Sequence, residues 1–199
     1  DDSVDLSTGE VWAFVGENGA GKSTLAHILG GVMEKDGGTL HLGEKAYTPK
    51  SFRDGFAHGV GIVLQEPGLV SSLRVSENLM LGQENRFSTA GLHLGRTRRQ
   101  LAREQMAEIC PQIDPDAVVR DLTFEEQKLV EIARVIASEP SFLVFDETSA
   151  ALSRDNVQLM FETIRGLRDK GCCVVVVTHR LGEVFELCDR VMVLKDGKL

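Results

Sequence analysis

Residues 16–24 read Gly16-Glu17-Asn18-Gly19-Ala20-Gly21-Lys22-Ser23-Thr24, and what flanks them decides the fold. Just before them, Val11-Trp12-Ala13-Phe14-Val15 is a short apolar run stopped by a glycine, which reads as a buried strand. Just after them, Leu25, Ile28, Leu29 and Val32 recur at the period of a helix. Gly-x-x-x-x-Gly-Lys-Ser between a strand and a helix is the spacing of a phosphate-binding loop. Glycines let the backbone wrap around a phosphate chain without Cβ clashes. The backbone N–H groups and the helix N-terminus then face the anion. Lys22 is placed to reach the β- and γ-phosphates of a nucleotide, and the Ser23 hydroxyl to ligate Mg²⁺.

Further along, Ser141 to Phe145 and Cys172 to Val177 are continuous apolar runs, and Val60 to Leu64 and Arg190 to Leu194 complete the strand candidates of this kind. Gly38 to Leu42 reads as a short extra strand. An amphipathic helix is marked by Val157, Met160, Phe161, Ile164 and Leu167. Continuous apolar strands alternating with helices indicate a parallel sheet covered on both faces. Residues 68–138 differ in texture, with helix candidates at Thr97 to Cys110 and Phe124 to Ala137. The expected fold is therefore α/β: a P-loop, RecA-like core of residues 1–67 and 139–199, with a helical subdomain over 68–138.

Composition narrows the classes. The chain has 199 residues, 42% hydrophobic and 26% charged, with a formal net charge of −8. That acidity argues against a nucleic-acid surface, and the small basic cluster Arg96, Arg98, Arg99 and Arg103 reads as a solvated helix face. No apolar run is long enough to cross a bilayer, so no direct membrane insertion is expected. Cys110, Cys172, Cys173 and Cys188 form no CxxC pair and read as small buried hydrophobes.

Three further positions gain meaning from the loop. Asp146 and Glu147 stand just past the strand Phe142 to Phe145, and ligands of parallel sheets bind at carboxyl ends of strands. Asp146 suits Mg²⁺, and Glu147 suits polarising an attacking water. His179 follows the Cys172 to Val177 strand in the same way and is placed to contact a γ-phosphate. Gln65 lies at the end of another strand.

Together these residues resemble the ATP-binding cassette (ABC) ATPase domain along essentially the whole chain. Gly16 to Thr24 is similar to the Walker A loop, Gln65 to the Q-loop glutamine, Leu122 to Gln127 to the signature, Phe142 to Glu147 to Walker B, Ala150 to Ser153 to the D-loop and His179 to the switch histidine. The stretches GIVLQEPGLVSSLRVSENLMLGQE, VEIARVIA and VVVVTHRLGEVFELCDRVMVLKDGKL narrow the resemblance to ribose/galactose-type sugar importer ATPases, in their first cassette. The resemblance implies ATP hydrolysis with catalytic Glu147, His179 and Gln65, and Mg²⁺ held by Ser23, Gln65 and Asp146. It also implies a second cassette and membrane permease subunits as partners, on the cytoplasmic face of the membrane. Residues 66–84 would then face the permease. It further implies an adenine-stacking aromatic upstream of Asp1, and so weak nucleotide affinity for residues 1–199 alone. A soluble, non-transport ABC ATPase and a regulatory cassette with little turnover are the alternatives.

The resemblance has departures. The family signature reads LSGGQ or LSVGQ, whereas this chain reads Leu122-Thr123-Phe124-Glu125-Glu126-Gln127. Two carboxylates then stand at a helix end that should receive the partner cassette's γ-phosphate. At close range such a like charge costs on the order of 1–4 kcal/mol. Thr123 and Glu126 also form a T-x-x-E capping box. This signature is therefore expected to support hydrolysis poorly at the partner's Walker A. Thr148 replaces a usual proline and Ser153 a common D-loop aspartate.

Overall fold

The structure is a computed structural model that describes residues 3–82 and 95–198. The chain forms two compact units: residues 1–62, 140–147 and 163–199, and residues 63–139 with 148–162. Residues 83 and 84 of the 66–84 segment, and the side chain of Arg96 in the basic cluster, lie outside the described residues.

In the first unit, β1 (Val11–Gly16), β4 (Val60–Val63, whose last residue passes into the second unit), β5 (Phe142–Asp146), β6 (Cys173–Val177) and β7 (Arg190–Leu194) make one sheet in the order β4-β5-β6-β1-β7. The pairs β5/β6, β6/β1 and β1/β7 are all parallel. β5 and β6 are buried at every residue, as their unbroken apolar sequences require. β7 lies at the edge, and Val191 and Val193 face outward there, 51% and 60% exposed. The centre of the core is Val11, Ala13, Phe14, Leu143, Val144, Val174 and Val175, each 0% exposed. Helix α1 (Lys22–Leu29) packs against β1, β5 and β6.

The expected strand over Gly38 to Leu42 takes a different form. β2 (His41–Leu42) pairs antiparallel with β3 (Lys45–Ala46) in a separate two-stranded sheet. Helix α2 (Phe52–Ala57) follows, capped by the Ser51 hydroxyl, which accepts from Asp54 N–H at 3.2 Å. Tyr47 anchors this region by donating its hydroxyl proton to the Leu29 carbonyl at 2.9 Å.

The second unit is helical. Its α3 (Val75–Met80), α4 (Gly95–Met106) and α5 (Phe124–Ile136) pack on one another. The Glu77 carboxylate accepts the Arg74 N–H at 2.8 Å and fixes the start of α3. Arg99 pairs with Asp116 at 3.0 Å, so part of the basic cluster is neutralised locally. A buried ion pair holds α5 to the segment after β4. Lys128 and Glu131 are 0% and 1% exposed and lie 2.8 Å apart. Lys128 also donates to the Leu64 carbonyl, and Glu131 accepts from Gly68 N–H at 2.8 Å. The backbone on both sides of Gln65 is thereby pinned to α5. Helix α6 (Arg154–Asp169) begins in this unit and ends in the first, and α7 (Leu181–Leu187) lies in the first.

Candidate functional site

The loop leaves β1 at Gly16, where φ is 155° and a Cβ would collide with the Leu194 carbonyl of the neighbouring strand. Only glycine fits that exit. Glu17, Asn18 and Gly19 are exposed and Ala20 is buried, with Ala20 N–H donating to the Glu17 carbonyl at 3.1 Å. The chain then enters α1 through Gly21, in the left-handed region at φ 100°. No side chain caps this helix start, so its first amides keep the polarity that attracts an anion. Lys22 is 5% exposed, and its ammonium donates to the Gly16 and Glu17 carbonyls, each at 2.9 Å. The cation is thus folded along the inner edge of the loop. Ser23 and Thr24 follow in the first turn of α1.

The parallel register carries the acidic residues to the same edge. Asp146 ends β5 opposite Val177 of β6, and Thr178 N–H donates to the Phe14 carbonyl of β1 at 3.3 Å. Asp146 is 1% exposed. Its Oδ1 accepts from the Ser23 hydroxyl at 3.0 Å, and its Oδ2 lies 3.2 Å from His27 Nε2. A hydroxyl and a carboxylate in contact form a hard-oxygen donor set that suits Mg²⁺. His27 was not singled out from the sequence. It sits one turn beyond Ser23, on the α1 face that meets β5.

Glu147 is the next residue, at φ 45°, a left-handed conformation uncommon for a non-glycine residue. Its N–H donates to the Val177 carbonyl at 3.0 Å, which holds the strained turn in place. The turn leaves the Glu147 carboxylate at the sheet edge, with Oε1 3.6 Å from His179 Nδ1. His179 is itself fixed by its neighbours. The Thr178 hydroxyl donates to Glu183 Oε2 at 2.8 Å and accepts from Arg180 N–H at 3.0 Å. The first unit therefore brings Gly16 to Thr24, Asp146, Glu147 and His179 to the carboxyl ends of β1, β5 and β6. Gln65, two residues past β4, is exposed and belongs to the second unit.

A family model described as ABC transporter matches residues 1–150. The chain belongs to the ABC transporter family. This ABC cassette is 39% identical over 200 residues to the ribose import ATP-binding protein RbsA of Caldanaerobacter subterraneus subsp. tengcongensis, covering 100% of this chain and 40% of that protein. It is 40% identical over 199 residues to the arabinose import ATP-binding protein AraG of Pseudomonas syringae pv. syringae, covering 100% of this chain and 39% of that one. The cassette thus spans about two fifths of the length of the curated relatives it matches. Among solved structures, a dimeric ATP-binding cassette in a post-hydrolysis state, bound to ADP and Pi, is 25% identical at a TM-score of 0.84. That likeness covers 98% of this chain and 85% of the other. The mostly parallel P-loop α/β fold expected from the sequence is the fold observed.

Residues 122–127 lie in the second unit, and the carboxylates of Glu125 and Glu126 have partners. The Thr123 N–H and hydroxyl both donate to Glu126 Oε2, at 2.8 and 2.9 Å, and Glu126 N–H donates back to Thr123 Oγ1 at 3.3 Å. This is the closed capping box. Glu125 points elsewhere. Its Oε1 accepts from Ser153 N–H at 2.6 Å and from Asn156 Nδ2 at 2.8 Å. These hydrogen bonds, from Asn156 first and then Ser153, hold the Glu125 carboxyl below the usual range.

Proposed function

We propose that this cassette is the first ATP-binding and hydrolysing cassette of a sugar-type ABC importer, coupling ATP hydrolysis to transport through membrane permease subunits. The single observation that supports it most is the convergence at one sheet edge: the loop with Lys22, the Ser23–Asp146 contact at 3.0 Å, and Glu147 3.6 Å from His179. The names of the relatives, ribose and arabinose import ATP-binding proteins, supply the transport half of the reading.

In this mechanism the amides of residues 19–24 and the Lys22 ammonium bind the phosphate chain of ATP. Lys22 exchanges its two carbonyl partners for phosphate oxygens. Ser23, Asp146 and Gln65 are the residues that would hold Mg²⁺. Bound there, the ion would supply positive charge against the phosphate chain. Glu147 orients the attacking water and accepts its proton as the water oxygen bonds to the γ-phosphorus, while the bond from that phosphorus to the β–γ bridging oxygen breaks and the oxygen leaves on ADP. His179 contacts the γ-phosphate and keeps Glu147 aligned. The products are ADP and inorganic phosphate. The site is completed by the signature of a second cassette, and the segment after Gln65 faces the permease on the cytoplasmic side of the membrane.

The test is ATP-driven pentose uptake by vesicles carrying the full-length protein and its permease. Wild-type protein should show uptake that stops with Glu147→Gln. Steady ATP hydrolysis without sugar uptake would instead support a soluble, non-transport ATPase.

A further inference from the structure

The position of Glu125 calls for explanation, because a glycine is expected there in the signature of this family. The two donors it accepts belong to the segment that follows Walker B. Ser153 opens α6: its carbonyl accepts the first helical bond, from Val157 N–H at 2.9 Å. In an ordinary capping box, the N–H of such a residue is satisfied by a glutamate three positions later on the same helix. Here the residue three positions later is Asn156, and its amide donates as well. Glu125 supplies the missing carboxylate from α5. One oxygen thus receives both a backbone and a side-chain N–H, and the Ser153 hydroxyl adds a further bond to the same group. All of these residues lie in the second unit.

We propose that Glu125 is a positioning residue, a clasp that fastens the D-loop turn at Ser153 to the start of the signature helix. The proposal rests on the reading of 122–127 as the signature and 150–153 as the D-loop. The D-loop begins three residues after Glu147 along the chain, and the signature is the surface offered to the other cassette. With the clasp closed, the turn at Ser153 and the helix start at Glu125 are held as one piece within the second unit. The Glu125 charge is therefore spent on internal donors instead of opposing a phosphate at the helix end.

The chemistry separates a clasp from a bare charge. A glutamine keeps an oxygen that accepts both N–H groups and loses only the charge; an alanine loses both. In the full-length protein, Glu125→Ala should speed hydrogen exchange of the Ser153 amide by roughly tenfold, whereas Glu125→Gln should leave it within about twofold. ATP hydrolysis should follow the same order, with Glu125→Ala down roughly fivefold or more and Glu125→Gln near wild type. Asn156→Ala should add no further loss in the Glu125→Ala background, because the shared acceptor is already gone. The proposal is overturned if Gln and Ala change hydrolysis alike, if both raise it, or if Ser153 exchange does not respond to Glu125→Ala. Absence of any ATP hydrolysis by the wild-type protein would sink the functional reading instead, while the exchange measurement still decides the clasp.

Discussion

Replacing Thr178 with valine tests how the fold holds His179. Valine matches threonine in shape, so packing changes little, but the hydroxyl is lost. That hydroxyl is 2.8 Å from Glu183 Oε2 and 3.0 Å from Arg180 N–H, and Thr178 and Glu183 are 2% and 8% exposed. The Glu183 carboxylate would keep only the Arg180 guanidinium, at 3.4 Å on its other oxygen. A hydrogen bond to a charged group contributes about 1.5–3 kcal/mol, and a buried group left short of a partner costs about as much. We expect Thr178→Val to destabilise the first unit by about 2–3 kcal/mol. For a chain of this size that is roughly 4–12 °C in Tm. Because the turn carrying His179 loosens, kcat should fall several-fold while KM for ATP stays nearly constant. Thr178→Ser keeps the hydroxyl and should restore both. Thermal melts and steady-state phosphate release on the full-length variants give the two readouts. A valine variant that melts and turns over like wild type, or a serine variant as damaged as valine, would refute the reasoning.

Two other perturbations follow from burial. Lys128→Met leaves the Glu131 carboxylate, 1% exposed, with the Gly68 N–H and the neighbouring Arg134 charge but without its 2.8 Å ion pair, and should cost about 2–4 kcal/mol in urea unfolding. Adding Glu131→Leu should deepen that loss, because it leaves the buried Arg134 guanidinium without its carboxylate. Burial raises the thiols of Cys110, Cys173 and Cys188 to about 12 and that of Cys172 to about 11, from an ordinary 9.0. They should resist maleimide at neutral pH until the protein is unfolded. A raised folded-state pKa gives stability that is complete below about pH 9 and lost as pH climbs toward 11–12, so unfolding midpoints should fall over that alkaline window.

The sequence was most legible where a strand is buried on both faces. The runs ending at Asp146 and Val177 announced β5 and β6, and a parallel sheet places their carboxyl ends on one edge, beside Gly16. Short elements were less legible. Helix α3 has six residues, too few to display a period, and it is fixed by Glu77 closing on Arg74 N–H. The turn between β2 and β3 pairs only two residues on each side, so nothing in Gly38 to Leu42 showed which sheet it would join. Contacts set by tertiary packing were not legible at all. His27 reaches Asp146 because α1 lies across β5, and no spacing in the sequence connects them. Glu125 read from the sequence as a charge at a helix end, and its hydrogen-bond donors, Ser153 and Asn156, lie 28 and 31 positions along the chain, so no local spacing connects them to it.

The central claim is that the edge formed by Lys22, Ser23, Asp146 and Glu147 binds ATP and hydrolyses it. The most direct test is Mg²⁺-dependent phosphate release by the full-length protein, wild type against Glu147→Gln, with ATP binding measured in parallel. Glu147→Gln should bind ATP within about twofold of wild type and hydrolyse it slower by roughly 10²-fold or more, the usual contribution of a positioned general base. A Glu147→Gln protein that hydrolyses ATP at the wild-type rate would contradict the claim.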